Sequence, residues 1–393
     1  MDILYISHCV PWPPDKGERI RAFNSVRVLA EHHRVHLACL ARGEAEAHVE
    51  SDLRERCASV RIEVLDTRRA IARGLLGAAL GGCFTTAFYA SPALKAHIAA
   101  VIRDAPIGAV VLLSSGMASY APEAIPYIAD WGDVDSEKRF QYAKIRMTGI
   151  AQLLEARRLR RVERDVAMRA RRTFLTTENE LALFRRIAPD AAAGCAGNGV
   201  DFGWFDPAAS FVVPDDLRRR GFLVFVGMLS YFPNSDGICR FAETIFPALR
   251  ARDPELELFV VGRDPPRSVT RLTEKPGITV TGAVEDVRPY LAASRAVVVP
   301  LRIARGIQNK VLEALAMGKT VLASREIRQT FAPNVPLGVV ACESVGEYVQ
   351  AMGALPALPA PDTAIVNATR ARFTWAECLA PLIAELSGIE RSA

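Results

Sequence analysis

The 393-residue sequence predicts an α/β protein of two domains, each a doubly wound parallel sheet. Three observations predict it. Short apolar runs recur at residues 3–6, 35–40, 109–113, 174–175, 223–226, 256–261, 278–280, 296–299 and 321–323, and they are continuous rather than alternating, as in parallel strands buried on both faces. Helical spacing lies between them: Ile20, Phe23, Val26 and Ala30 recur at nearly 3.6 residues, and so do Ile238, Phe241, Ile245 and Leu249. The pattern then restarts near Gly221, after a polar, proline-bearing stretch.

The predicted organisation is a first domain over 1–200, a linker over 201–220, a second domain over 221–370 and a terminal helical segment over 371–393. Half of the residues are hydrophobic and 24% are charged, which suits a chain with a large core and excludes a disordered one. The net charge of +5 suits phosphate handling or proximity to anionic lipid, and with no recognition motif beside it predicts no nucleic-acid partner. The eight cysteines have no metal-ligand spacing and read as reduced residues of a cytoplasmic protein. The opening MDILYISHCVPWPP reads as a first strand rather than a signal peptide, and no uncharged apolar run is long enough to span a membrane.

In open parallel sheets, ligands bind at the carboxyl ends of the strands, and two such sheets facing each other leave a central cleft. The strand ends are therefore where chemistry is expected. The strongest constellation is RIARGIQNKVLEALAMGKTVLAS at 302–324. Gly306 permits an unusual backbone angle, Asn309 is expected to cap a helix reaching Met317, and Gly318 to stop it. The free N–H groups of such a helix attract an anion. Arg302, Arg305 and Lys310 add charge for a pyrophosphate, and Glu313 stands one turn on, where a carboxylate accepts hydrogen bonds from ribose hydroxyls. The bland alternative is a capped helix with solvated charges. FVGMLSYFPNSDG at 225–237 places Gly227 where a ligand can approach the backbone, and VVGRDP at 260–265 places Arg263 at another strand end.

In the first half, SHCVPWPPDKGERIRAF at 7–23 puts His8 at a strand tip and Gly17 before a helix carrying Arg19 and Arg21. ADWGDVDSEK at 129–138 offers Asp133 and Asp135, read as acceptor-hydroxyl partners, with helix capping as the plainer reading and a metal site disfavoured. Residues 155–172 are strongly basic and 68–89 unusually apolar and glycine-rich; solvated or buried surface is one reading, contact with a membrane the other.

Taken in order, these motifs resemble the retaining GT-B glycosyltransferases often called family 4. NGVDFGWFDP at 198–207 is similar to that family's inter-domain segment, and GIQNKVLEALAMGKTVLAS to its donor-site helix, with Glu313 at the second glutamate. SHCVPWPPDKGERIRAFN, DVDSEK and FVGMLSYFPNSDG resemble the bacterial sugar transferases associated with exosortase and exopolysaccharide gene clusters, and TWAECLAPLIAEL resembles the closing helix that crosses back to the first domain. The resemblance implies two Rossmann-like domains facing a central cleft and metal-independent, retaining transfer from a nucleotide-diphosphate-sugar to a lipid-linked or growing exopolysaccharide acceptor. The nucleotide-sugar is a substrate, so no cofactor and no metal are implied. It places Gly17, Arg263 and Lys310 at the donor phosphates and Glu313 at the ribose; the strand-end reading adds Gly227, Arg302, Arg305, Gly306, Gln308 and Asn309 on the donor side, Arg21 on the acceptor side, and His8, Asp133 and Asp135 as candidate catalytic groups.

The chain departs from the family's pattern in three places. The family's usual histidine of the acceptor loop has no clear match, and Asp133 or Asp135 is read as its substitute. Arg305 stands where the first glutamate of the pair is expected. Met228 and Pro233–Asn234 stand where phosphate-binding Arg and Lys are common. A non-catalytic GT-B protein that binds a nucleotide-sugar or polysaccharide is therefore a second reading. A GT-B nucleotide-sugar epimerase is a third, without a convincing acid/base set, and a nicotinamide enzyme lacks Gly-x-Gly-x-x-Gly after the first strand.

Overall fold

A computed structural model describes residues 1–145, 149–218, 221–356 and 360–392. The chain divides into two compact units, Met1–Asn198 with Cys378–Ala393, and Gly199–Glu377. Most of the stretch expected as a linker thus belongs to the second unit; residues 219 and 220 lie outside the described residues, as do 357–359 of the proline-rich stretch at 354–362.

The first unit is a seven-stranded parallel sheet. Its strands are β1 (Asp2–Ser7), β2 (Arg34–Ala41), β3 (Ser59–Val64), β4 (Ile107–Leu113), β5 (Tyr127–Gly132), β6 (Arg172–Leu175) and β7 (Ala193–Cys195), in the order β3-β2-β1-β4-β5-β6-β7. The second unit has six parallel strands, β8 (Phe222–Val226), β9 (Glu257–Val261), β10 (Ile278–Gly282), β11 (Ala296–Val299), β12 (Val321–Ala323) and β13 (Val339–Ala341), in the order β10-β9-β8-β11-β12-β13. In both sheets the first strand pairs on one side with the second and on the other with the fourth, so the direction of winding reverses beside β1 and beside β8. Those two reversals open the crevices in which doubly wound sheets hold ligands.

The apolar runs fill both faces of their sheets: Ile3, Leu4, Tyr5 and Ile6 in β1, and Leu223, Val224 and Phe225 in β8, have no exposed surface. Polar residues at the helix starts close the crossovers. Thr177 accepts from the backbone of Glu180, and Ser344 with Glu347 makes a reciprocal capping box. The spacing of Ile238, Phe241, Ile245 and Leu249 is helical, but the helix carries a π turn at Phe241–Ile245, just ahead of Pro247, which has no N–H to bond backwards. The last helix, Trp375–Ser392, sends Leu382, Leu386 and Ile389 into the cluster built on Ile3, Tyr5 and Leu37. Among the described residues, no two cysteines form a disulfide.

Candidate functional site

In the second unit, β8 and β11 end side by side and the groups that follow them converge. Helix Asn309–Ala316 begins after the β11 loop. Its N-cap is Gln308, whose side chain makes no cap bond but donates from Nε2 to the Arg305 carbonyl at 3.0 Å. This corrects the expectation for Asn309, which is the first residue inside the helix rather than its cap. The start of such a helix attracts an anion. Gly306 sits at φ 59° in the loop and Gly318 at φ 67° after the helix, both in the left-handed region.

Lys310 reaches from this helix to the end of β8. Its Nζ donates to Asn234 Oδ1 at 2.6 Å and lies 4.7 Å from the Phe225 ring centroid. Asn234 is buried and held in turn by its Nδ2, which donates to the Met228 carbonyl at 2.8 Å. Gly227 closes the cluster. A Cβ there would lie 2.9 Å from Lys310 Nζ and 3.0 Å from Asn234 Nδ2, so no larger residue fits without displacing them. Burial pushes the Lys310 ammonium down to about 7, and burial pushes the Glu313 carboxyl, one turn on, up to about 7; each charge opposes the other's shift. This corner holds an ammonium and a carboxylate in an unusually labile balance, which an added anion would tip.

The neighbouring loop is fastened to the same place. Gly227 N donates to Val261 O and Leu229 N to Arg263 O, both at 3.0 Å. Gly262 makes the approach possible, since a Cβ on it would fall 1.7 Å from the Gly227 carbonyl oxygen. Arg263 is thereby carried, half-buried, beside the β8 loop. Arg302, expected at the donor, is paired within its own unit. Its guanidinium forms a two-pronged bond to Asp236, with Nε to Oδ2 at 2.8 Å and Nη2 to Oδ1 at 2.5 Å. That bond raises its pKa and cancels its charge, so Arg302 clamps the β11 loop to helix Phe232–Arg240. Arg305 is half-buried in the same loop.

In the first unit the expected residues form two groups. His8 follows β1 and is nearly buried; its Nε2 is 3.3 Å from Glu18 Oε2, while its Nδ1 has no hydrogen-bond partner among the described residues. Burial alone would raise the Glu18 pKa, but the hydrogen bond and charge of His8, with Arg42 and Lys16, bring it down to about 2. Tyr89 packs edge-on against His8 and accepts a hydrogen bond from Arg42 at 2.9 Å. Gly17 opens helix Gly17–Ala30 with nothing within 4 Å of a Cβ position, so open space rather than backbone strain marks it.

The second group follows β4 and β5. Asp135 accepts from Ser115 Oγ at 2.6 Å, and Lys138 stands between the two aspartates, 3.4 Å from Asp133 and 3.8 Å from Asp135. Asp135 also contributes to the raised pKa of Tyr89, after burial and Glu18, which puts the two groups within electrostatic reach. Among the described residues, no three His, Cys, Asp or Glu side chains converge as a metal site.

Arg21, expected on the acceptor side, is instead buried structure. Its Nε donates to both oxygens of Asp130 at 3.0 Å, its Nη1 to Asn198 Oδ1 at 2.8 Å and its Nη2 to the Ala196 carbonyl at 3.0 Å. The sequence reading named Asn234 only as a departure from the family's pattern, and it did not single out Asp236, Glu18, Lys138 or Ser115.

With this geometry in place, known proteins can be compared. Residues 220–356 match the family model described as glycosyl transferases group 1. The solved structures like this chain include sucrose-phosphate synthase from Thermosynechococcus elongatus, at a TM-score of 0.71 and 16% identity over 100% of both chains. Anabaena HepE in complex with UDP and glucose superposes at 0.67 and 14% identity over 99% of this chain and 100% of its own. WaaG, a glycosyltransferase involved in lipopolysaccharide biosynthesis, does so at 0.60 and 14% identity over 98% of each. No curated protein matches. The chain has the GT-B glycosyltransferase fold of two Rossmann-like units, and the second unit carries the group 1 sequence pattern.

Proposed function

We propose that the chain is a glycosyltransferase that moves a sugar, of the hexosyl type, from a nucleotide-diphosphate-sugar to a lipid-linked or growing exopolysaccharide acceptor on the cytoplasmic side of a bacterial plasma membrane. The observation that carries the reading is the cluster of Gly227, Asn234 and Lys310 beside the uncapped start of helix Asn309–Ala316, with Glu313 one turn further. A diphosphate needs an ammonium and a helix start, and a ribose needs a carboxylate; the corner offers these within one turn of helix. Lys310 and Arg263 meet the diphosphate, Gln308 and Gly306 line its approach, and Glu313 holds the ribose.

Transfer in this reading is metal-independent and retains the anomeric configuration. The bond from the anomeric carbon to the β-phosphate oxygen breaks, and the acceptor oxygen bonds to that carbon on the same face. The acceptor proton passes to the departing phosphate. Lys310 and the helix start stabilise the charge that develops there. On the first unit, His8, oriented by Glu18, and the Asp133–Lys138–Asp135 group position the acceptor hydroxyl.

The test is calorimetry with UDP, GDP, ADP and their sugar conjugates, in magnesium and in chelator. UDP comes first because Anabaena HepE was seen with it. Tight binding of one nucleotide in both media, with nucleotide released when acceptor is added, is the expected result. Binding without release in the presence of any acceptor supports the second reading, a non-catalytic nucleotide-sugar or polysaccharide binder. The replacement of the expected glutamate by Arg305 and the neutralisation of Arg302 by Asp236 favour that alternative. No binding of any nucleotide refutes the donor site.

A further inference from the structure

Helix Thr67–Ala79 is amphipathic in reverse. Its inward face is made of small residues: Ala70 and Gly74 are buried, a Cβ on Gly74 would lie 2.5 Å from the Phe84 ring, and one on Gly77 would lie 2.7 Å from the Ala87 Cβ. Helix Phe84–Tyr89 packs into the space those glycines leave. The large aliphatic side chains all point away. Ile71 is 44% exposed, Leu75 61%, Leu76 62% and Leu80, which caps the helix, 80%. An ordinary surface helix buries its leucines and exposes its small and polar residues, so this face is built to meet something apolar.

Its surroundings say what. Arg68 and Arg69 are exposed at the start of the same helix. Helix Gly149–Ala167 is fastened to its other end: Arg158 Nη1 donates to the Ala78 carbonyl at 2.7 Å, and Glu155 accepts from the backbone N–H groups of Phe84 and Thr85 at 2.9 and 2.8 Å. This second helix turns both of its glutamates inward. Glu155 is 8% exposed, and Glu163 is fully buried, accepting from the N–H and hydroxyl of Ser136. Three of its arginines face outward: Arg157, Arg161 and Arg164 are exposed, with Asp165 paired to Arg164 and exposed Leu154 next to them. On the first helix, Asp66 is the one carboxylate; it caps the backbone N–H groups of Arg68 and Arg69 and also pairs with the Arg69 guanidinium at 3.3 Å, leaving Arg68 exposed beside it. Outward leucines with outward guanidinium groups and inward glutamates complement a surface that is apolar beneath and anionic above.

We propose that the outer faces of helices Thr67–Ala79 and Gly149–Ala167 dock on an anionic phospholipid bilayer. A 13-residue helix is roughly 20 Å long, too short to span the hydrocarbon layer but suited to lie in its interface. No described helix is long and apolar enough to cross a membrane. Leu75, Leu76 and Leu80 enter the acyl boundary, and the arginines meet the headgroup phosphates. The inference deepens the proposed function, in which the acceptor is lipid-linked, but rests on its own observations.

The test is co-sedimentation of the full chain with phosphatidylcholine vesicles, with and without phosphatidylglycerol, at low and high salt, with nucleotide binding measured on the same preparations. Binding is expected only to the anionic vesicles and is weakened by salt. The pair Leu75→Glu and Leu76→Glu is expected to lower it at least tenfold. Arg157→Ala and Arg161→Ala together should lower it about twenty-five-fold, at about fivefold for each charge. Both pairs lie on the surface and should keep the wild-type melting temperature. The proposal is overturned if the wild-type chain ignores anionic vesicles at low salt, or if the leucine variant binds as well as wild type. It is also overturned if the leucines instead hold two copies together, seen as a dimer that the leucine variant dissociates. Loss of vesicle binding with nucleotide binding intact sinks this surface alone; the converse sinks the donor site alone.

Discussion

The balance between Lys310 and Glu313 makes the donor affinity pH-dependent in a form that can be worked out. The competent state needs the Lys310 ammonium for the diphosphate and the Glu313 carboxylate for the ribose. Burial lowers the first to about 7 and raises the second to about 7. Lys310 therefore loses its charge as pH rises through 7, and Glu313 loses its charge as pH falls through 7. Each charge favours the other, so the ammonium–carboxylate pair is most populated near neutrality, and affinity should peak there and fall on both the acid and the alkaline flank. The assay is calorimetric titration across that range with a nucleotide-diphosphate-sugar, whose diester phosphates do not titrate there. Lys310→Met should remove the alkaline limb and weaken binding about ten- to hundredfold, the worth of a charge-assisted hydrogen bond. Glu313→Gln should flatten the acid limb. An affinity that stays level across this range in the wild-type chain, or limbs that survive both substitutions, would refute the assignment of the pair to the donor.

Gly227→Ala should leave the fold intact and weaken nucleotide binding about tenfold, because the new methyl group stands where Lys310 Nζ and Asn234 Nδ2 now lie; unchanged affinity by calorimetry would remove Gly227 from the site. Arg305→Glu restores the carboxylate that the family resemblance leads one to expect, and should reorder the preference among donor sugars while nucleotide affinity changes little, which competition assays with a sugar panel would detect. Arg21→Met strands the buried Asp130 carboxylate and should cost the first unit about 3–5 kcal/mol in denaturant unfolding, with Arg21→Met and Asp130→Leu together costing less. A single-variant loss under about 1 kcal/mol would show that the pair does not hold the β5 end.

The sheets were legible where parallel strands are buried on both faces, because a run such as 3–6 or 296–299 has no other reading at that length. β3 was not, since at the sheet edge Ser59–Val64 alternates Val60 and Ile62 with Arg61 and Glu63. β7 and β13, with three residues each, are too short to carry a period. At the site, local chemistry was readable and partnership was not. Gly227, Gly306 and Lys310 declare themselves by residue type at strand ends. That Lys310 meets Asn234, or that Asp236 takes Arg302 out of the cation supply, depends on β8 and β11 being neighbours, a property of strand order that neither segment contains. Arg21 shows the same limit from the other side: an arginine after a strand-end glycine looks solvent-facing until Asp130, far along the chain, is placed opposite it.

The first unit is discontinuous in sequence. Its core is completed by Leu382, Leu386 and Ile389, which are synthesised only after every strand of the second sheet. Domains commonly fold in order as they leave the ribosome, but here residues 1–198 emerge with one side of their core uncovered and wait for the rest of the chain. The later unit is free to finish first. Splitting the gene between the units would thus yield an amino-terminal half prone to aggregation, which should be recovered in folded form only when the 378–392 segment is supplied to it.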